Sequence, residues 1–274
     1  MEGVKTFWLG IPIIERDGNF FNLETRKAVA LLAYLGLSSP LPQSRENLAT
    51  LFWPEYDQQR ASANLRRSLY SINHELGPDL IISNRENVML NPSCLIWQDV
   101  CEFRTLLDRV KSHQHEHIVC AECIGNLEKA VTLYRGSFLE GLNLRDAPEF
   151  DQWQYLQRDG FLQDLASSLE KLALAYVSCG EWEKGIQRAR YWVSLDQLNE
   201  NAQRTLIECY AQAGQRSAAL HQFEEYSRIL SDELGQFPDE ELLELYQEIR
   251  AGKTRKTDGS PGISDPVSQV EPGQ

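Results

Sequence analysis

The stretch that decides the fold is residues 57–76, DQQRASANLRRSLYSINHEL. Five apolar residues in it recur at steps of three or four, which places them on one side of an α-helix with 3.6 residues per turn. They are Ala61, Leu65, Leu69, Ile72 and Leu76. The opposite side carries cations, an amide, a hydroxyl and small side chains, and within the helix no carboxylate precedes Glu75. The pattern predicts one long amphipathic helix with a buried stripe and a face suited to DNA.

Charge is distributed unevenly along the chain. The 274 residues carry a net charge of −13, which taken as a whole argues against binding to a polyanion. Residues 1–105, however, carry ten Lys and Arg against twelve Asp and Glu, whereas the rest carries 17 against 28. We therefore expect a DNA-binding part near the N-terminus and a separate acidic part, whose carboxylates lie mostly on solvated helix faces.

The residues around the long helix predict a small DNA-binding domain. Residues 4–21 alternate apolar and polar side chains, which is typical of three short antiparallel strands. Helices are predicted from Thr25, from the N-cap Ser44 and from the N-cap Asp57. Two strand-like runs within residues 80–90 then predict a hairpin, or wing. Strands, three helices and a wing make a winged helix, a helix-turn-helix fold whose last helix enters the major groove.

The later part of the chain contains an internal repeat. Four positions recur 34 residues further on, as Tyr176 with Tyr210, Gly180 with Gly214, Ile186 with Leu220, and Trp192 with Tyr226. Thirty-four residues is the tetratricopeptide (TPR) period, in which glycine permits the tight turn between two helices. Residues 125–249 are therefore predicted to be helical almost throughout, with earlier helices completing the stack.

Several runs of residues carry a family resemblance. RKAVALLAYLGL, SRENLATLFWPE and RASANLRRSLYSINHELG resemble the OmpR/PhoB-type DNA-binding domain of SARP-family transcriptional regulators. LYRGSFLEGL, EFDQWQYLQRDGFL and ILSDELGQFPDEELLELYQEI are similar to the bacterial transcriptional activator domain (BTAD) that follows it in that family. The resemblance covers residues 5–250.

The resemblance implies a mainly α fold in two domains. Residues 1–100 are expected to form an N-terminal winged helix-turn-helix with small β-sheets, and residues 101–250 an all-α, TPR-like helical-repeat domain. Residues 251–274 are rich in Gly, Pro, Ser and charge, so we expect a disordered tail or linker.

These observations predict a sequence-specific DNA-binding transcriptional regulator, an activator, whose partner is double-stranded promoter DNA. The residues expected to contact base edges are Arg60, Asn64, Arg67 and Ser71. The residues expected to contact sugar and phosphate are Arg66, Tyr70, His74, Ser44 and Arg45. Arg85, at the wing tip, is expected either to enter the adjacent minor groove or to pair with a phosphate. The simpler interpretation of each is a side chain on a solvated helix face.

The helical-repeat domain has three candidate roles in this interpretation. It would form a homodimer on DNA, contact RNA polymerase, or pack against the winged helix and orient it. The alternative function is a TPR-type protein-interaction scaffold with a winged helix that does not bind DNA, because TPR grooves bind peptides.

Other classes of protein are disfavoured by what the sequence lacks. It has no Gly-x4-Gly-Lys-Ser/Thr phosphate loop and no evident catalytic set of side chains, so we expect no enzyme. No apolar run approaches the roughly 20 residues that span a bilayer, and the start lacks the features of a signal peptide. We therefore expect a cytoplasmic protein without membrane contact.

One segment, HQHEHIVCAEC at residues 113–123, has the side chains of a zinc site. The ligands predicted for a structural zinc ion are His115, His117, Cys120 and Cys123, with His113 as a neighbouring candidate. All of them lie within eleven residues, whereas structural sites usually draw ligand pairs from two separated segments. The alternative is a solvated loop leading into a helix that packs small Cys side chains. No other cofactor is expected.

Overall fold

Four strands form the N-terminal sheet of the protein, whose computed structural model describes residues 3–113 and 119–252. The strands are β1 (Val4–Phe7), β2 (Ile13–Arg16), β3 (Asn19–Phe21) and β7 (Ile96–Gln98), in the order β3-β2-β1-β7. The predicted antiparallel pairing of the first three is confirmed. Strand β7 pairs parallel with β1 and was not predicted, because parallel pairing needs a long connection and leaves no local signal.

Three helices follow the first strands at the predicted positions. They are α1 (Arg26–Ser38), α2 (Arg45–Phe52) and α3 (Gln58–Leu76). Asp57 caps α3 by accepting a hydrogen bond from the backbone N–H of Arg60 at 2.9 Å, and Ser44 Oγ accepts one from Asn47 at 3.4 Å. Both predicted N-caps are confirmed. All five residues of the predicted apolar stripe on α3 are buried.

The predicted wing is a hairpin of β5 (Ile81–Ser83) and β6 (Asn87–Leu90), and β4 (Gln43–Ser44) pairs with β6 to complete a three-stranded sheet. Asn84 Oδ1 accepts hydrogen bonds from the backbone N–H groups of Glu86 and Asn87, which holds the turn. The side chain of Asn73 on α3 both accepts from and donates to the backbone of Ile81. The wing is therefore tied directly to α3.

Three more helices belong wholly or partly to the same compact unit, Met1–Leu172. They are α4 (Asp99–Ser112), α5 (Ala121–Leu133) and α6 (Pro148–Ser178). The expectation of helix through Tyr134 and Phe138 is wrong, because residues 134–147 form an irregular loop with Leu139 at φ 51° and Gly141 at φ 75°. The backbone of this loop bonds the N-terminal residues instead: Leu139 donates to Trp8 O at 2.8 Å.

The second compact unit, Ala173–Gln274, contains the predicted repeat. Its helices after the end of α6 are α7 (Trp182–Leu195), α8 (Glu200–Gln212), α9 (Arg216–Leu234) and α10 (Glu240–Arg250). Gly180 and Gly214 adopt nearly the same left-handed conformation, with φ 75° and 74°. The TPR-like character of this unit is confirmed, and with it the mainly α fold with an N-terminal winged helix.

The two turns of the repeat also share their hydrogen bonds. Glu181 N–H donates to Tyr176 O at 2.8 Å, and Gln215 N–H donates to Tyr210 O at 2.9 Å. One pair of repeat positions differs, because Ile186 is buried whereas Leu220 is only half-buried and Ala219 beside it fills the core. The position that faces the core is therefore shifted by one residue between the two repeats.

None of the helices in residues 3–113 and 119–252 is long and apolar enough to cross a membrane. The predicted disordered tail, residues 251–274, falls almost entirely outside the described part of the chain.

Candidate nucleic-acid interface

The outer face of α3 carries the side chains that we predicted for DNA. Exposed members of this set are Arg60, Arg66, Arg67, Tyr70 and His74, and half-buried members are Asn64 and Ser71. Tyr70 is 71% exposed, so most of this aromatic residue faces solvent. The fold therefore separates the buried stripe from the polar face as the helical period requires.

One groove runs between α3, the start of α2 and the wing, with a volume of about 470 Å³; we call it the wing groove. Its lining comprises Arg45, Arg66, Leu69, Tyr70, Asn73, His74, Pro78 and Ser83. Burial, and then the nearby positive charge of Arg66, lower the pKa of the Arg45 guanidinium. Two cations that repel one another at a groove mark a place where an anion would be favoured.

The aromatic side of the wing groove is ordered by a stacked pair. The rings of Tyr70 and His74 lie 5.9 Å apart at an interplanar angle of 27°. His74 Nδ1 also lies 3.2 Å from Glu75 Oε1, so a carboxylate sits beside the imidazole. Of the cationic or potentially cationic side chains that line this groove, His74 thus has a carboxylate beside it, whereas Arg45 and Arg66 form no ion pair among the described residues.

A second cleft, which we call the loop cleft, lies on the other flank of α3 and has a volume of about 350 Å³. Its lining includes Asn64 and Arg67 of α3 together with Lys27, Trp53, Glu55, Tyr56, Asn143, Leu144 and Asp146. Lys27 Nζ lies 2.8 Å from Asp146 Oδ2 and 3.5 Å from Glu55 Oε1, and 5.4 Å from the centre of the Trp53 ring. The predicted readers of bases are therefore not all brought into one groove.

The remaining predicted residues occupy the rim of this surface. Arg60 pairs with Asp57 at 3.4 Å at the start of α3, and the Ser44 hydroxyl is engaged as the cap of α2. Arg45 donates to the carbonyl oxygen of Asn84 at 3.5 Å, and Arg85 is exposed in the wing turn. In the described part of the chain, Arg45, Arg66, Arg67 and Arg85 form no ion pair.

A buried carboxylate fastens the N-terminal sheet to α4. Asp99 is 0% exposed, and its two oxygens accept the backbone N–H groups of Trp8 at 2.8 Å and Leu9 at 2.9 Å. Burial raises the pKa of Asp99, while the hydrogen bonds from Trp8, Leu9 and Val100 and the charge of Arg135 at 3.7 Å act in the opposite direction. Both oxygens of this buried carboxylate therefore have hydrogen-bond donors inside the protein.

Gln98, the residue before this carboxylate, makes a second junction. Its Oε1 accepts from Trp8 Nε1 at 3.3 Å, and its Nε2 donates to the Gly36 carbonyl at 3.3 Å. Sequence reasoning missed both positions; the only signal was a pair of polar residues between the apolar Trp97 and Val100. Through them the sheet, α1 and α4 are held in one arrangement.

The predicted zinc ligands are only partly within the described chain. His115 and His117 fall in residues 114–118, which lie outside it. His113, Cys120 and Cys123 come together, with His113 Nδ1 at 3.6 Å from Cys120 Sγ and 3.3 Å from Cys123 Sγ. A backbone hydrogen bond from Cys123 and the side chain of His113 lower the pKa of Cys120 to about 7, whereas burial raises that of Cys123 to about 11.

Comparison with known proteins gives one family and a similar fold. Residues 98–250, more than half of the chain, match the model of the bacterial transcriptional activator domain. Among solved structures, Mycobacterium tuberculosis EmbR in complex with a low affinity phosphopeptide has a TM-score of 0.67 and 18% sequence identity. The match covers 92% of this chain and 66% of that one, and at this identity it shows a shared fold. No curated protein matches the sequence.

Proposed function

The chain belongs to the bacterial transcriptional activator domain family, and we propose that it activates transcription by binding specific promoter sequences through α3. One observation carries the proposal: Arg66 and Arg67 on α3, Arg45 at the start of α2 and Arg85 in the wing turn have no ion-pair partner among the described residues. Cations held without carboxylate partners beside an exposed helix favour the phosphates of a duplex.

The outermost line of α3 is suited to base edges. At 100° per residue, Arg67 points roughly 160° away from Leu65 at the centre of the buried stripe, so it lies on the outer face of α3. Arg pairs with guanine and Asn with adenine in the major groove, each good bidentate pair contributing about 1–3 kcal/mol of discrimination. We assign base contacts to Arg67, Asn64 and Arg60, with Ser71 as a further candidate.

The wing groove is suited to the sugar-phosphate backbone. Arg45 and Arg66 supply charge, and the exposed Tyr70 hydroxyl supplies a donor on the same side. Such contacts set the position of the protein on the duplex without carrying sequence information. Arg85, in the wing turn, lies where a winged helix approaches the adjacent minor groove.

In this proposal the helical part of the chain orients the DNA-binding domain or binds a partner. We assign residues 1–100 to the DNA-binding domain and residues 101–250 to the helical-repeat domain. Helices α4 and α5 and the start of α6 belong to the same compact unit as the winged helix, which supports a role in orienting it. The TPR-like helices remain available for a homodimer contact or for RNA polymerase.

The test is a gel-shift assay of the full chain on its own promoter region with competitor DNA at physiological salt. We expect binding to the promoter to be tighter than non-specific binding by a factor of about 10³ or more. Mapping of genomic binding sites then gives the operator, and the spacing of half-sites reports the number of subunits. Equal affinity for promoter and competitor would contradict the proposal.

Equal affinity for promoter and competitor DNA would favour the second candidate function, a protein-interaction scaffold. A pocket in the second compact unit supports this candidate. A pocket of about 240 Å³ on α7, α8 and α9 combines charged and amide side chains with apolar ones. Its polar lining includes Arg190, Gln197, Gln203, Gln222 and Glu225. Mixed pockets on helical repeats are typical peptide sites.

Location and cofactors follow from the same proposal. A protein that binds promoter DNA acts in the cytoplasm, so we propose a cytoplasmic protein that does not contact a membrane. Reading of DNA by side chains on α3 requires no cofactor, so a structural zinc ion at the histidine and cysteine side chains would be an addition to this function.

A further inference from the structure

The geometry points to a zinc site formed by His113, Cys120 and Cys123, independent of DNA binding. The three ligand atoms all lie within 4.8 Å of one another. The two sulfur–nitrogen distances are 3.6 and 3.3 Å. In a tetrahedral site with Zn–S of about 2.3 Å and Zn–N of about 2.0 Å, sulfur and nitrogen ligands lie about 3.6 Å apart. The side chains are therefore spaced as a bound ion requires.

The short spacing of the candidate ligands in the sequence argued against a structural zinc site, but the fold places them on two separate helix ends. His113 follows the last residue of α4, Cys120 is the N-cap of α5, and Cys123 lies in the first turn of α5. Helices α4 and α5 pack against each other, so the ligands come from the ends of two helices rather than from one continuous loop. Two anchored segments are what structural zinc sites normally use.

The chemistry of the ligands selects the metal. Two sulfur atoms and one imidazole nitrogen are soft or borderline donors, which favour Zn²⁺ over the oxygen-seeking Mg²⁺ and Ca²⁺. Cys123 is 0% exposed, whereas His113 and Cys120 are exposed, so the buried thiol anchors the site and the outer side faces solvent. Zinc is normally four-coordinate, so the site has one position for a ligand other than these three side chains.

The site would fasten the connection between α4 and α5. Since α4 begins at Asp99, which holds the N-terminal sheet, the ion would stiffen the far end of the same helix. A structural metal contributes its binding free energy to folding, because the site does not exist in the unfolded chain. Its loss is therefore expected to lower thermal stability.

The test is metal analysis of the full chain purified under reducing conditions, saturated with Zn²⁺ and then desalted. We expect about one zinc per chain for the wild type, and less than about 0.2 for Cys120→Ser and for His113→Gln. Both replaced residues are exposed, so the variants should fold, and circular dichroism checks this. Cys179→Ser and His221→Gln, also at exposed positions, are the matched controls and should keep the metal.

Cobalt provides the second readout. Substitution with Co²⁺ should give the thiolate charge-transfer band and the intense visible bands of tetrahedral coordination, and both should vanish in Cys120→Ser. Less than about 0.2 zinc in the wild type, or unchanged zinc in both ligand variants, would overturn the proposal. A Cys120–Cys123 disulfide that forms in air in spite of added Zn²⁺ would also overturn it and assign the pair to thiol oxidation.

Discussion

Lys27 Nζ lies 2.8 Å from Asp146 Oδ2, which joins the start of α1 to the loop before α6. Lys27 is well covered, with 15% of its side chain exposed, whereas the Asp146 side chain is 54% exposed. Lys27 and Asp146 both line the loop cleft with Arg67, so their ion pair connects the irregular loop before α6 to the surroundings of α3.

Asp146→Asn should therefore cost little stability, and the cost should depend on pH. The hydrogen bond from Lys27 lowers the pKa of Asp146 below its ordinary 3.8. Because the pKa of Asp146 is lower in the folded protein than in the unfolded chain, its ionised carboxylate stabilises the fold above pH 3.8. This stabilisation is lost as the pH falls through the lowered pKa. A double-mutant cycle with Lys27→Met in urea should give a coupling of about 0.2–1 kcal/mol at pH 7 that shrinks below pH 3.8. A coupling that grew in acid would contradict this.

Asp99→Asn should destabilise the protein although it removes a buried charge. The two oxygens of Asp99 accept from two different backbone N–H groups, and asparagine has only one such oxygen. One N–H group would then face an amide NH₂, a loss of about 1–3 kcal/mol. Urea unfolding measures it, with Asp108→Asn at an exposed position of the same helix as the control. An equal effect of both substitutions would show that the junction contributes nothing.

Two glycine substitutions in helices should have opposite signs. A Cβ at Gly160 in α6 meets nothing within 4 Å, so Gly160→Ala should stabilise by about 0.5–1 kcal/mol through backbone entropy. A Cβ at Gly36 in α1 would overlap Oε1 of the buried Gln98, so Gly36→Ala should destabilise by about 1–3 kcal/mol. Thermal unfolding compares them, and the same sign for both would refute the packing argument.

Arg67→Ala should reduce promoter binding more than non-specific binding. The reason is that a bidentate contact to a base is lost only on the correct sequence, at about 1–3 kcal/mol. Gel shifts on promoter and competitor DNA measure both affinities, with Arg109→Ala, exposed on α4, as the control. Equal losses on the two DNAs would reassign Arg67 to a phosphate.

Arg45→Ala should weaken binding to all DNA sequences by a similar factor. A phosphate contact releases about one counterion, so the slope of log affinity against log salt should fall in magnitude by about 1. Binding measured at several salt concentrations checks this. An unchanged slope, or a changed sequence preference, would move Arg45 out of the phosphate role that the wing groove suggests.

Local signals made much of the fold predictable. The caps Ser44 and Asp57 act within three residues, and the turns at Gly180 and Gly214 depend on one left-handed residue each. The loop at residues 134–147 was not predictable in the same way. Its apolar spacing resembles that of a helix, but its backbone forms hydrogen bonds with residues 8–10, more than a hundred positions away, which no local pattern reveals.

The sequence predicted which face of α3 carries the candidate site, but not which residues of other segments lie beside it. The helical period correctly separated Leu65 and its stripe from Arg66 and Arg67. It did not reveal that Arg66 lines the wing groove while Arg67 lines the loop cleft with Leu144 and Asp146, because those neighbours come from distant segments. His113 was likewise ranked below the histidines that follow it, since its approach to Cys123 depends on how α4 and α5 pack.

The junction at Gln98 and Asp99 limits how this regulator can be rearranged in evolution. The family match begins at residue 98, yet these two side chains complete the hydrogen bonding of Trp8, Leu9 and Gly36 in the other part of the chain. A recombination event that exchanged everything after residue 97 would leave these groups unpaired unless the incoming segment brought an amide and a carboxylate at the same two places. A winged helix and a helical segment taken from two different relatives should therefore fit together only where both of these side chains are kept.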